Sequence, residues 1–91
     1  MEIQLKEIER IEDPTGILLG ARDEVHFVVR FEDEEDELYR ADGIGVRLLV
    51  HVEEQTILAH FIYETADGAI LEYELDEEEL NALYEHYAQN K

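Results

Sequence analysis

Apolar and polar residues alternate over three long stretches of this 91-residue chain, and this pattern constrains the fold most strongly. The stretches are residues 24–32, 44–53 and 56–65. Side chains of a β-strand point alternately to two faces, whereas those of a helix repeat every three to four positions. The sequence therefore predicts three neighbouring strands, with a tight turn near Glu54 and Gln55 between the last two.

The N-terminal segment predicts a further strand, over residues 3–12. Ile3 and Leu5 alternate, while Ile8 and Ile11 continue the alternation out of phase, which is typical of a β-bulge. A short helix remains an alternative, because Leu5, Ile8 and Ile11 also follow one another at a spacing of three.

Turn-forming residues separate the predicted strands. Residues 13–16 read Asp-Pro-Thr-Gly, which suits a type I turn, and Asp42-Gly43 predicts a second turn. Asp67-Gly68 is typical of a β-hairpin, because glycine accepts a positive φ without steric cost. The hairpin leads into a fifth predicted strand, residues 69–75.

A helix is predicted over residues 77–89. Asp76 is suited to the N-cap, and Glu79 three positions later completes an acidic variant of the capping box. Apolar residues then recur at helical spacing. They are Leu80, Leu83, Tyr84 and Tyr87.

We therefore expect a single α+β domain spanning residues 1–91: an antiparallel five-stranded meander with the C-terminal helix packed on one face. The residues expected beneath the helix are Val25, Phe27, Val29, Val46, Leu48, Val50, Phe61, Tyr63, Leu71 and Tyr73. The second face also receives apolar side chains, at Val28, Leu49, Leu58, Ile62 and Ile70. Either the sheet curls toward a barrel, or this face meets a partner, most simply a second copy.

Basic residues are also concentrated on that second face, although the chain has only seven Lys and Arg. They are His26, Arg30, Arg47, His51 and His60. Three explanations stay open: pairing with Glu72 and Glu74 across strands, a dimer interface facing the partner's acids, or an anion site. The residues predicted for a dimer face are Val28, Arg30, Arg47, Leu49, Leu58, His60 and Ile62.

The formal charge of −18 opposes binding to nucleic acid or to anionic membranes. Residues 32–37 are six consecutive carboxylates and predict a solvated loop, anchored at its far end by Leu38 and Tyr39. A basic protein partner would contact this loop. The residues predicted for that contact are Asp33, Glu34, Glu35, Asp36 and Glu37. Alternatively, the acidity is an adaptation to a saline or alkaline cell interior.

Nothing in the sequence indicates catalysis or a cofactor. The chain has no Cys and no Ser, so the commonest nucleophiles are missing. The acidic run lacks the central glycine of a calcium loop. His26, His51 and His60 share a predicted face, but their spacing matches no zinc motif. We expect a non-enzymatic protein with no catalytic residue, metal or cofactor; a small enzyme or metal-binding protein stays open as an alternative.

Three segments resemble a known family. They are residues 11–20, which contain Ile-Glu-Asp-Pro-Thr-Gly-Ile-Leu, residues 33–39, and residues 71–79, where Leu-Glu-Tyr-Glu-Leu runs into four acids. Together they resemble an uncharacterised family of small acidic proteins from Bacillus-type Firmicutes. The resemblance implies a bacterial cytoplasmic protein and implies no activity, cofactor or functional residue.

Overall fold

The computed structural model describes residues 1–12 and 20–90. Five antiparallel strands form one sheet in the order β1-β2-β3-β4-β5, so each strand pairs with its sequence neighbours. The expected meander with a C-terminal helix is confirmed, and the sheet is open, with β1 and β5 at opposite edges. The elements are β1 Glu2–Ile11, β2 Arg22–Arg30, β3 Ile44–His51, β4 Thr56–Glu64, β5 Ile70–Leu71 and α1 Glu77–Asn90.

The N-terminal segment is a bulged strand and not a short helix. Its pairing with β2 shifts register between Leu5 and Glu7, so Lys6 is the extra residue. The shift allows Ile3, Leu5 and Ile8 to pack on the same side of the sheet. The predicted turn at residues 13–16 lies outside the described residues.

The core lies between one face of the sheet, here called the inner face, and helix α1. Alternate residues of β2 and β3 are fully buried on this face, as predicted. Leu83 and Tyr87 of the helix are also fully buried against it. The sheet residues concerned are Val25, Phe27, Val29, Ile44, Val46, Leu48 and Val50.

The predicted orientation of β4 is wrong. Ile62 lies opposite Val46 and is 1% exposed, whereas Phe61 is 49% exposed on the other side of the sheet. Both sides of β4 carry apolar residues, so alternation alone does not select the buried side. The register with β3 decides it, because a shift of one residue exchanges the two faces. Tyr63 therefore also lies outside the core.

Strand β5 is shorter than predicted, with two residues in place of 69–75. After Leu71 the chain leaves β4, and Tyr73, which was expected in the core, is 45% exposed. Leu75 instead reaches the core and is 5% exposed. If β5 continued to residue 75, the chain would remain in the sheet. Because the chain leaves the sheet after Leu71, Leu75 and the start of α1 come to lie over the inner face.

Helix α1 begins with the predicted capping box. The Glu79 N–H donates to Asp76 Oδ1 at 2.8 Å, and the Asp76 N–H donates to Glu79 Oε1 at 3.0 Å. These two bonds satisfy backbone donors that the first helical turn leaves free. In the described ranges 1–12 and 20–90, no helix is long and apolar enough to cross a membrane.

Candidate functional site

The sheet face opposite α1, here called the outer face, is the main candidate for an interaction surface. Three of its large apolar side chains are exposed, with Ile11 at 40%, Phe61 at 49% and Ile70 at 62%. By strand register, its members are Glu2, Gln4, Glu7, Glu9, Ile11, Arg22, Glu24, His26, Val28, Arg30, Gly45, Arg47, Leu49, His51, Thr56, Ala59, Phe61, Tyr63 and Ile70.

An aromatic platform forms at the centre of the outer face because β3 carries a glycine there. A Cβ atom at Gly45 would lie 2.1 Å from Cζ of Tyr63, so the Tyr63 ring rests directly on the β3 backbone. The Arg47 guanidinium lies 5.8 Å from the centroid of the same ring, which is within cation–π range. Tyr63 was missed as an outer-face residue, although a glycine within a strand indicates close approach by another group.

A polar cluster borders this platform. Oε1 of Glu24 forms an ion pair with Arg47 Nε at 3.0 Å and also lies 3.2 Å from His26 Nε2. Glu9 stands directly opposite Glu24 in the ladder, and its Oε2 is 3.9 Å from His26 Nε2. Carboxylates at opposite positions repel each other, so the neighbouring Arg47 guanidinium reduces the cost of placing them there.

Three of the basic side chains thus lie beside carboxylates, but not beside the predicted ones. Arg47 and His26 meet Glu24, and Arg30 lies 3.6 Å from Glu2, where Glu72 and Glu74 had been expected. The prediction assumed partners on β5, whereas β1 and β2 supply them. These pairs leave little positive charge for an anion.

Glu9, Glu24 and His26 also form the one cluster of metal-ligand atoms found within the described residues, with each atom within 4.8 Å of the others. Arg47 already occupies the same Glu24 oxygen, and ion pairing accounts for the arrangement. The imidazoles considered for zinc do not converge. His60 lies on the inner face opposite Leu48, and its Nε2 accepts the Leu75 N–H at 3.3 Å.

The residues predicted for a dimer face are divided by the structure. Val28, Arg30, Arg47 and Leu49 lie on the outer face. The predicted placement of His60 and Ile62 is wrong, because both lie on the inner face. The cause is the β4 register described above. Leu58 is 45% exposed, beside the irregularity where the β3–β4 pairing shifts between Leu49 and Val50.

The acidic loop, residues 32–37, is exposed along its whole length, as predicted. Two aspartates fold its backbone: Asp33 Oδ1 accepts the Glu35 N–H and Asp36 Oδ1 accepts the Leu38 N–H, both at 2.9 Å. Leu38 is 8% exposed and joins the core, which confirms it as an anchor. The loop therefore presents its carboxylates from an ordered backbone.

Arg40 ties the end of the acidic loop to β4. Its Nε donates to Oε1 and Oε2 of Glu64 at 3.0 and 3.1 Å, and its second terminal nitrogen donates to Oε1 at 2.8 Å. Its remaining nitrogen donates to the carbonyls of Glu37 and Tyr39 at 3.1 and 2.7 Å. The hydrogen bonds to Glu64 raise the pKa of Arg40 above its ordinary value. Bidentate pairing of this kind fixes direction as well as distance.

A buried polar group lies at one end of the inner face. Asp23, 2% exposed, accepts a hydrogen bond from the Tyr87 hydroxyl at 2.6 Å and another from Nε of Arg10. Burial, and then the hydrogen bond to Asp23, raises the pKa of Tyr87 well above its usual range. The group connects β1, β2 and α1. Sequence reasoning missed it, although Asp23 continues the buried alternation that begins at Val25.

The amino-acid sequence matches a known protein family. The sequence model described as a family of unknown function (DUF6509) matches residues 1–91. The chain belongs to this family. The expected resemblance to an uncharacterised family is thereby confirmed for the whole length of this DUF6509 chain. No curated protein and no solved structure matches it.

Proposed function

We propose that this protein is a non-enzymatic binding module that self-associates through the outer face. The observation that carries the proposal is the low net charge of the outer face. The outer face supplies four carboxylates and three guanidinium groups, a formal charge of −1 with His neutral, on a chain of −18. Two copies repel each other least when these faces meet. The charged residues counted are Glu2, Glu7, Glu9, Glu24, Arg22, Arg30 and Arg47.

The outer face is also large enough for a dimer. Five strands spaced about 4.8 Å apart, with about 3.3 Å per residue, give roughly 600–700 Å² on one side of the sheet. A specific interface of standard size buries about 800 Å² per partner, so this face covers most of that requirement. Contact by neighbouring side chains at its rim would supply the remainder.

The composition of the outer face suits an interface as well. Phe61, Tyr63 and Arg47 lie together near its centre, and these residue types are enriched where proteins meet. Around a two-fold axis, the same apolar region of each copy meets its counterpart. The Glu24 cluster would lie beside this region, with Glu24 already paired to Arg47.

The mass in solution tests this proposal. We expect twice the protomer mass of 10.7 kDa by light scattering at low and at high salt. Phe61→Lys should give the protomer mass, because a charge then enters the apolar centre. Asn81→Lys, on exposed helix surface, adds the same charge and should remain dimeric. Circular dichroism verifies that both variants are folded.

A wild-type protein of protomer mass at every concentration would refute self-association, as would equal masses for the two variants. If that monomer also gains thermal stability steeply with added salt, the acidity is better explained by adaptation to a saline or alkaline cell interior. We place the action of the protein in the bacterial cytoplasm, following the resemblance of its sequence.

A second candidate is a basic protein partner for the acidic loop. The ordered backbone of residues 32–37 and the Arg40–Glu64 tie favour it, because a preformed surface loses little entropy on binding. Opposite charge would accelerate the encounter, and salt would weaken it. Replacing Asp33, Glu34 and Glu35 by Asn and Gln should then slow association with a basic partner, with little change in thermal unfolding.

A further inference from the structure

One edge of the sheet is left partly open. Strand β5 pairs only with Ile62 and Tyr63, at the C-terminal end of β4. Over residues 1–12 and 20–90, no strand pairs with β4 residues 56–61 on that side. At about 3.3 Å per residue, this open edge is roughly 20 Å long.

The backbone of β4 directs hydrogen-bonding groups to this edge. The Glu64 N–H donates to the Ala69 carbonyl at 2.9 Å, so the backbone N–H of Glu64 is directed toward β5. In an antiparallel ladder, every second residue directs its N–H and C=O to the same side. Ile62 and His60 therefore share this direction, and His60 lies just beyond the last residue that pairs with β5.

A groove lies at the same place. After Leu71 the chain departs from β4, and it returns at Leu75, whose N–H donates to the His60 side chain at 3.3 Å. The departure leaves a cavity of about 310 Å³ between β4 and residues 72–74. The open edge thus runs into a groove.

The groove combines apolar surface with negative charge. Phe61, Ile70 and Tyr73 line it and are 49%, 62% and 45% exposed. Glu72 and Glu74 also line it, and its described lining contains no Lys or Arg. Alternating apolar and basic side chains on an extended segment would match this lining.

We infer that the groove binds an extended basic segment of a partner protein, which adds to the open edge of β4 as a further strand. Backbone hydrogen bonds to His60 supply affinity, and Glu72 and Glu74 select lysine or arginine. A second copy of this chain is disfavoured as the occupant, because its charge of −18 would meet the same two carboxylates. The groove shares Phe61 and Ile70 with the outer face, whereas Glu72, Glu74 and the open edge of β4 lie beyond that face.

A synthetic probe tests the inference. It is a fluorescein-labelled hexapeptide of alternating lysine and valine, titrated into the full-length protein at low salt. We expect saturable binding of one peptide per protomer. The backbone amide resonances of His60 and Phe61 should shift on binding, and hydrogen exchange of the His60 amide should slow. The Glu72→Gln/Glu74→Gln variant should bind at least five-fold more weakly.

Two matched controls separate strand addition from simple attraction between opposite charges. The Glu78→Gln/Glu85→Gln variant loses the same charge on helix α1 and should bind as the wild type does. A peptide of the same sequence with every backbone nitrogen methylated keeps every charge but loses the backbone donors of both edges, and it should bind at least ten-fold more weakly.

Equal affinity for the two peptides, or for the two variants, would overturn the inference, and so would a complete lack of binding. Resonance shifts confined to residues 33–37 would also overturn it and would assign basic segments to the acidic loop. The mass measurement reports the oligomeric state separately, so a failure of self-association and a failure of this inference remain distinguishable.

Discussion

Removing the Tyr87 hydroxyl should lower the stability of the fold. The hydroxyl is fully buried and donates to the buried carboxylate of Asp23 at 2.6 Å. A hydrogen bond to a charged group contributes about 1.5–3 kcal/mol. In Tyr87→Phe the ring still fills its space and Arg10 still contacts Asp23, so we expect a loss of about 1.5–2 kcal/mol. For a domain of this size, that corresponds to roughly 6–16 °C in Tm.

Urea unfolding at neutral pH, followed by circular dichroism, measures this loss. Tyr84→Phe is the matched control, because Tyr84 is only partly buried on the same helix and its hydroxyl is hydrogen-bonded to no described residue. The midpoint should fall for Tyr87→Phe with an unchanged slope. If the two variants unfold within about 0.5 kcal/mol of each other, the Tyr87–Asp23 bond does not stabilise the fold.

The pH dependence provides a second test of the same bond. The pKa of Tyr87 is raised in the folded protein, so the fold favours the neutral phenol. Its contribution is therefore present below the unfolded pKa of about 10 and is lost as pH rises above it. The stability difference between wild type and Tyr87→Phe should shrink by about 1.4 kcal/mol per pH unit above that value. A difference that stays constant with pH would contradict the assignment.

Two further substitutions test local features of the fold. Asp76→Ala removes the N-cap of α1 and should cost about 1 kcal/mol in urea unfolding, whereas Asn81→Ala, which caps nothing, should not. Gly45→Ala places a Cβ against the Tyr63 ring and should cost about 1–3 kcal/mol. The same change in a Tyr63→Ala background should be nearly neutral, and an equal cost in both backgrounds would show that the ring is not responsible.

Much of the fold was predictable from the sequence. Alternation in residues 24–32 and 44–53 places Val25 and Val46 in the core, and the structure buries both. The capping box at Asp76 and Glu79 was also recognisable, because it depends on two residues three positions apart. These features are determined by backbone geometry and hydrogen bonds within a few residues of chain.

The candidate surfaces were less predictable. Tyr63 was assigned to the core, and Ile62 to the face that now carries Tyr63. Because β4 is apolar on both sides, its own residues contain no signal that chooses between these arrangements. The sequence did not predict the open edge of β4, for a related reason. Alternation continues through residues 69–75, although only Ile70 and Leu71 pair with β4.

The sequence by itself determined the strands, the helix cap and the exposed acidic loop, since each follows from neighbouring residues. Only the tertiary structure decided which side of β4 is buried, where β5 ends and which carboxylate pairs with Arg47. It also joined Tyr87 to Asp23, 64 positions apart. Such contacts depend on strand register and on packing between distant segments, and no local pattern encodes them.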